Sequence, residues 1–367
     1  MDWINPLYVL PLAGILAGLV IGYLARSNHF CTLSALERHW YAGDSSGLRT
    51  WALAAFTALA ATQVLVHLGF ANTTASFYLS PSFPWTGAIL GGIMFGFGMA
   101  LVGTCGFGAV IRLGGGSLRA LVVLTVIGLA ALATQRGILG VIRVPLVDDL
   151  AMDLSFARDQ SMGSLVSAAV GASVSWLVAG VIAAVGFGWI FSSASFRADR
   201  ARIATGVVIG LAITFGWVAT TWASRAAMDP VQIEAGSFVV PVGDAILQLI
   251  TYTGVLPDYG VGLIAGVLLG AVAAAVRKRD IRWEACDDAR ELGRHILGGT
   301  MMGVGGVMAM GCTIGQGISG FSTMAISAPI VLLSIAMGAR LGLAWLLEGS
   351  LKAAFQLNAP ENRSAAE

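Results

Sequence analysis

WTGAILGGIMFGFGMALVGTCGFGAV, residues 85–110, runs for 26 residues without a charged side chain, and eight of them are Gly. A helix needs about 20 mostly apolar residues to cross a hydrocarbon core, so the stretch reads as a membrane span. The rest of the chain has the same character. Hydrophobic residues make up 57% of it, charged residues 11%, and mean hydropathy is +0.81. A soluble domain carries roughly 25% charge, and no soluble core could hide this much apolar surface. The composition defines an all-α integral membrane protein. Net charge is +1, so nothing points to nucleic acid. The four cysteines form no CxxC pair and no zinc-spaced cluster with His, and neither a metal nor a cofactor is expected. Residues 1–6 lack the basic region of a cleaved signal, so the first apolar stretch reads as a retained span.

Nine spans are expected: 7–25, 50–71, 85–110, 120–139, 163–192, 203–222, 259–276, 295–318 and 325–347. Two shorter apolar stretches, 28–36 and 242–255, read as re-entrant or interfacial helices. Lys and Arg gather in alternate loops. Arg26, Arg38 and Arg49 lie in the first, Arg112 and Arg119 in the third, and Arg197, Arg200 and Arg202 after the fifth span. Loop 277–294 carries Arg277, Lys278, Arg279, Arg282, Arg290 and Arg294. The intervening segments are uncharged (72–84) or acidic on balance (140–162 and 223–258). Basic loops stay in the cytoplasm, which places the N-terminus outside and the C-terminus inside. A Gly-lined outer vestibule, met by the substrate before any charged residue, is the corresponding expectation.

The Gly-rich stretch recurs. Gly91, Gly92, Met94, Gly96, Gly98, Cys105 and Gly108 are matched without a gap, at an offset of 207, by Gly298, Gly299, Met301, Gly303, Gly305, Cys312 and Gly315. A weaker match sets residues 14–19 against 206–211. The chain is therefore expected to be a single transporter domain, 1–367, of two related halves, about 11–139 and 203–347, joined by span 163–192. Five spans separate the two starts, so the second half is inverted. Inverted repeats with broken helices at mid-membrane are a common transporter design.

The two segments Gly103-Thr104-Cys105-Gly106-Phe107-Gly108 and Gly311-Cys312-Thr313-Ile314-Gly315-Gln316-Gly317 are poor helix interiors, because each Gly costs about 1 kcal/mol relative to Ala. Unwound backbone at membrane depth survives only where it is buried in protein or lines a cavity. Its freed N–H groups can hold an anion. Close helix packing and a plain buried thiol are the alternative readings of the Gly and the Cys. A neutral thiol in each break could instead pass an anion on by weak S–H contacts without trapping it. Cys31 opens the first short apolar stretch, and its repeat counterpart, near Ala223, is not Cys. Cys286 lies in a charged loop and reads as a bystander. Arg112, Arg119, Gln316 and Ser319 follow the breaks; the arginines either gather anions or obey the positive-inside rule.

Cys31, the run Gly103-Thr104-Cys105-Gly106-Phe107-Gly108-Ala109-Val110-Ile111-Arg112, and above all Gly311-Cys312-Thr313-Ile314-Gly315-Gln316-Gly317 resemble the YeeE/YedE family of sulfur-compound transporters over nearly the whole chain. The resemblance implies an hourglass-shaped transporter of thiosulfate in the inner membrane of a bacterial cell. It implies a central path with three thiols, which map to Cys31, Cys105 and Cys312. The expected path residues are these three with Gly103, Gly106, Gly108, Gly311, Thr313, Gly315 and Gln316. The family also implies a small cytoplasmic TusA-like sulfur carrier as partner, and some members are linked to selenium. Three other functions stay open: a thiol oxidoreductase, which would want paired surface cysteines; a membrane sulfurtransferase forming a cysteine persulfide; and a channel for another small anion such as sulfite or formate. No Walker motif is present, and an enzyme is not expected.

Overall fold

The computed structural model describes residues 6–172, 174–227, 230–251, 257–351 and 354. In chain order its helices are α1 (Pro6–Ser27), α2 (Thr32–Ala42), α3 (Ser46–His67), α4 (Gly92–Val102), α5 (Gly106–Gly114), α6 (Leu118–Gln135), α7 (Gly140–Arg143) and α8 (Met162–Val170). Then come α9 (Ser175–Phe191), α10 (Ala194–Ala198), α11 (Arg200–Ala226), α12 (Val240–Thr251), α13 (Tyr259–Lys278), α14 (Ala289–Met308) and α15 (Ser327–Glu348). Residues Gly87–Gly91 and Gly315–Gly320 wind as wider π turns. Such turns concentrate at functional sites. The strands are two residues each, Ser82–Phe83 against Met152–Asp153.

Glycine sets the packing. In lipid there is little hydrophobic force between helices, so they associate by close approach and interhelical contacts. Gly14, Gly18 and Gly22 of α1 lie against the backbone of Tyr259, Leu263 and Val267 of α13, and Gly262, Gly266 and Gly270 face back onto Pro11, Ile15 and Leu19. Gly206 and Gly210 of α11 seat in the same way on Thr50 and Ala54 of α3. Gly96 and Gly338 join α4 to α15; a Cβ on Gly96 would stand 2.0 Å from the Ile335 carbonyl oxygen.

The two Gly-rich helices meet each other. A Cβ on Gly91 would meet the Gly305 carbonyl oxygen at 2.7 Å, and one on Gly98 the Gly298 oxygen at 2.5 Å. At the sequence offset of 207, Gly91 corresponds to Gly298 and Gly98 to Gly305. Gly91 thus approaches Gly305 and Gly98 approaches Gly298, in antiparallel order.

The loops sort onto two faces. Arg26 bonds Asp280 at 3.2 Å, Lys278 reaches the Ser27 carbonyl oxygen, and Arg119 pairs with Glu284 at 2.9 Å and Glu291 at 2.7 Å. The amide of Asp287 and the Arg119 guanidinium hold the Glu291 carboxyl below its ordinary value. Every one of these loops is basic. At the other end, strand Ser82–Phe83 pairs with Met152–Asp153, Leu154 donates to the Pro81 carbonyl, Arg225 to that of Gly69, and Arg136 reaches Asp244 at 3.6 Å.

Among the described residues, seven helical segments are long and apolar enough to cross a membrane: Tyr8–Ala42, Ser46–His67, Gly87–Gly114, Leu118–Gln135, Arg200–Ala226, Tyr259–Lys278 and Ser327–Glu348. Two of the nine expected spans take another form. Span 163–192 divides at Gly171, whose left-handed φ of +73° ends α8. The remaining helix, α9, has 17 residues, about 25 Å at 1.5 Å each. Expected span 295–318 is the end of α14, which stops at Met308, followed by a break. The expected short helices 28–36 and 242–255 become α2 and α12; residues 252–255 of the latter lie outside the described residues. Segment 223–258 reads as a loop, yet Ile233 through Val239 run non-helically through the interior, each of them buried. Thr220 Oγ1 donates to the Glu234 carbonyl (2.9 Å) and Ser319 Oγ to that of Gly236 (2.7 Å). These bonds supply the partners that backbone at this depth requires.

Candidate functional site

The three helix breaks share one local design. Cys31 is the residue before α2 and Cys105 the residue before α5, both in extended conformation, and the Cys31 and Cys105 carbonyls accept the amides of Ala35 and Ala109. The Cys312 carbonyl accepts the Gln316 amide in the same register at 2.8 Å. Each thiol therefore stands at the start of a helical segment, where the helix dipole is positive. The Gly315 amide donates to the Cys312 sulfur at 3.3 Å.

The chain reverses into each break through a left-handed residue. Gly103 has φ +77° and its repeat counterpart Met310 has φ +56°. Both carbonyls are held by a long polar side chain. Arg112 Nη2 donates to the Gly103 oxygen at 2.8 Å, and Gln316 Nε2 donates to the oxygens of Ala309 (2.9 Å) and Met310 (3.3 Å). Gln316 is thus turned to the backbone of the break, with its Oε1 accepting from Ser327. Gly311, at φ +153°, could not be replaced without strain.

Two cavities approach the breaks from opposite faces. The first, of about 380 Å³, is walled by Arg26, Arg38, Arg112 and Arg202 with His29, Cys31, Thr104 and Gly108. The second, of about 460 Å³, is walled by Glu234, Asp244 and Asp258, by Arg136 and Arg143, and by Ser237 and Gly311. The uncharged vestibule expected on that face is therefore corrected: Glu234, Asp244, Asp258 and the two arginines come from loop ends that fold inward over it.

Thr104, just before Cys105, lines the basic cavity, and Gly311, just before Cys312, lines the acidic one. Cys105 and Cys312 themselves are fully buried and Cys31 partly exposed. Cys105 lies within electrostatic reach of both other thiols. Cys31 lines the basic cavity. Cys286 lies elsewhere, in the loop before α14. Thr313 is fully buried beside Cys105, and its hydroxyl has no nitrogen or oxygen partner, only the Cys105 sulfur beside it. Gly106 and Gly315 give the closure its tightness. A Cβ on Gly106 would stand 2.9 Å from the Phe238 oxygen, and one on Gly315 would stand 3.0 Å from Ser237 Oγ and 3.1 Å from the Tyr78 hydroxyl.

Sequence reading missed Phe238. At the offset of 207 it, not Ala223, corresponds to Cys31, and it precedes α12 as Cys31 precedes α2. Ala223 lies inside α11. The Phe238 ring packs on Phe107 (4.8 Å between centroids), which meets Phe30 edge-on at 6.3 Å.

Membrane-length helices, two opposed cavities and a closed polar constriction at paired helix breaks define a membrane transporter rather than an enzyme. Residues 27–341 match the family model described as sulphur transport, and the chain belongs to that family, in keeping with the YeeE/YedE resemblance. The thiosulfate transporter TsuA of Escherichia coli is 24% identical over 328 residues, covering 84% of this chain and 86% of that protein. The thiosulfate transporter TsuA of Spirochaeta thermophila is 26% identical over 345 residues, covering 91% and 98%.

Proposed function

We propose that this protein carries thiosulfate across the inner membrane of a bacterial cell, from the acidic cavity outside to the basic cavity inside, along Cys312, Cys105 and Cys31. The observation that carries the reading is the placement of Cys105 and Cys312, fully buried at equivalent breaks, each one residue from a different cavity. The positive end of a helix dipole favours an anion by about 0.3–1 kcal/mol. A thiol adds a weak, polarisable donor. Such modest contacts suit passage, since a site that binds too well cannot release. A dianion entering a negative interior meets an electrical cost of roughly 4.6 kcal/mol per 100 mV, from about 2.3 per charge. Arg26, Arg38, Arg112 and Arg202 attract the anion at the inner end without changing that net cost, and present a basic rim to a TusA-like carrier. Labelled thiosulfate should enter proteoliposomes holding the purified protein, with saturation and with competition by unlabelled thiosulfate. A rate no higher than that of protein-free vesicles would remove the reading.

The antiparallel contact of Gly91 with Gly305 and of Gly98 with Gly298 supports two inverted halves about an axis in the membrane plane. In this reading the nine expected segments all cross, α9 and the broken α14 among them. The exposed Ser155 is then periplasmic and Cys286 cytoplasmic. In whole cells, a membrane-impermeant maleimide should label Ser155→Cys directly and Cys286 only after permeabilisation. Labelling of both from one side would contradict the inversion.

A further inference from the structure

We propose that Glu234 is a proton-binding site linked to admission of the anion, so that proton and anion occupy the acidic cavity together. This rests on the transport reading above. The segment that holds Glu234 is buried and pinned at both ends of its turn, and the residue is 9% exposed, in the wall of the acidic cavity. One carboxyl oxygen accepts the Gly260 amide at 3.2 Å. Among the described residues no ion pair reaches it.

The charged and titratable groups around it come from every neighbouring element. Asp258 caps α13 by accepting the Val261 amide at 2.8 Å. Asp244 of α12 is paired with Arg136, the residue after α6, at 3.6 Å, and Arg143 of α7 is paired with Asp148 at 3.2 Å. The cations of this cavity are thus engaged with other carboxylates, while Asp258 and Asp244 lie close enough to oppose a charge on Glu234. Tyr259 and Tyr78 complete the surroundings. Both are fully buried; the Tyr259 hydroxyl has no hydrogen-bond partner, and the Tyr78 hydroxyl lies beside Ser237. Tyr78 lies within electrostatic reach of Glu234 on one side and of Cys312 on the other. An unpartnered phenol hydroxyl beside a carboxyl that lacks a cation is an unfilled polar site.

An unpaired buried carboxylate is costly, and a proton is the smallest group that relieves it. A negative Glu234 also repels any anion in the same cavity. Protonation removes that repulsion, and binding of the anion in turn favours the proton, because the coupling is reciprocal. The proton comes from water in the open cavity onto a carboxyl oxygen, and no bond or redox state changes otherwise.

Uptake of labelled thiosulfate into proteoliposomes, down its gradient and at equal pH on both sides, tests the linkage. Wild type should run at least about fivefold faster near pH 5.5 than near pH 8. Glu234→Gln keeps the oxygen that accepts from Gly260 but is neutral at every pH. It should lose the slope and match, at pH 8, the acid rate of wild type. A second measurement needs no variant: adding thiosulfate to lightly buffered, detergent-solubilised wild type should draw protons from solution, read by a pH dye. Equal pH profiles for wild type and Glu234→Gln, or no proton uptake on adding thiosulfate, would overturn the linkage while leaving transport intact. No uptake by wild type at any pH would remove the transport reading and this one with it.

Discussion

Cys105→Ala is expected to lower thiosulfate uptake at least about tenfold, equivalent to about 1.4 kcal/mol, while Cys286→Ala leaves it at the wild-type rate. Both variants lose one small thiol. Cys105 is fully buried, one residue from the basic cavity and within reach of the other two sulfurs, whereas Cys286 lies in a loop outside the helices. Cys312→Ala should behave as Cys105→Ala does, with a further loss of stability, because the Gly315 amide loses its acceptor at 3.3 Å. An orphaned buried donor costs about 1–3 kcal/mol. Serine separates helix capping from relay. Its oxygen is the better cap for the segment that follows, by about 1 kcal/mol, so Cys312→Ser should melt at least as high as wild type. Its hydroxyl also forms stronger hydrogen bonds than a thiol, and so holds the anion longer or closes the gap onto backbone. Stability and transport then move in opposite directions. Uptake assays beside melting curves read both, and equal transport by Cys105→Ala and Cys286→Ala would return Cys105 to simple packing.

The breaks were legible because their cause is local. Gly at 103, 106 and 108, and at 311, 315 and 317, weakens a helix wherever it occurs, and the constant offset of 207 tied the two thiols together without any structure. The charge alternation was legible for the same reason, since each loop declares its own side. What the sequence hid is set by distant partners. Residues 233–239 have no periodicity and read as an acidic loop; their burial depends on Thr220 and Ser319, which supply their backbone bonds. Glu234 looked like one loop acid among several until that segment folded inward. Phe238 was missed because the weak match at 14–19 suggested a shorter offset than the true one, so Cys31 was compared with Ala223. The turn at Gly171 was overlooked because its neighbours are apolar on both sides, and hydropathy does not register a single left-handed residue.

Thr313→Val is the substitution expected to part function from stability most cleanly. The side chains have nearly the same shape, so packing around a fully buried position is kept. The Thr313 hydroxyl has no nitrogen or oxygen partner and faces only the weakly accepting sulfur of Cys105. A buried polar group left unsatisfied destabilises a fold by about 1–3 kcal/mol. Replacing it with a methyl should therefore leave the melting temperature unchanged or raise it. If Thr313 were structural, nothing else would follow. If the hydroxyl instead faces the passing anion, its loss removes a donor where few exist, and a donor in a dry site is worth about 1–3 kcal/mol, or roughly five- to a hundredfold in rate. Thr32 provides the parallel case. It follows Cys31 as Thr313 follows Cys312, it is 7% exposed, and its hydroxyl likewise has no nitrogen or oxygen partner. Thr62 is the contrast, a buried Thr whose hydroxyl is already engaged with Thr214 at 3.3 Å. Thr62→Val should cost stability and spare the rate per folded molecule. Uptake normalised to folded protein, measured with the melting curve of each variant, distinguishes the two patterns. A Thr313→Val protein that is more stable and equally active would show that the anion does not pass this hydroxyl.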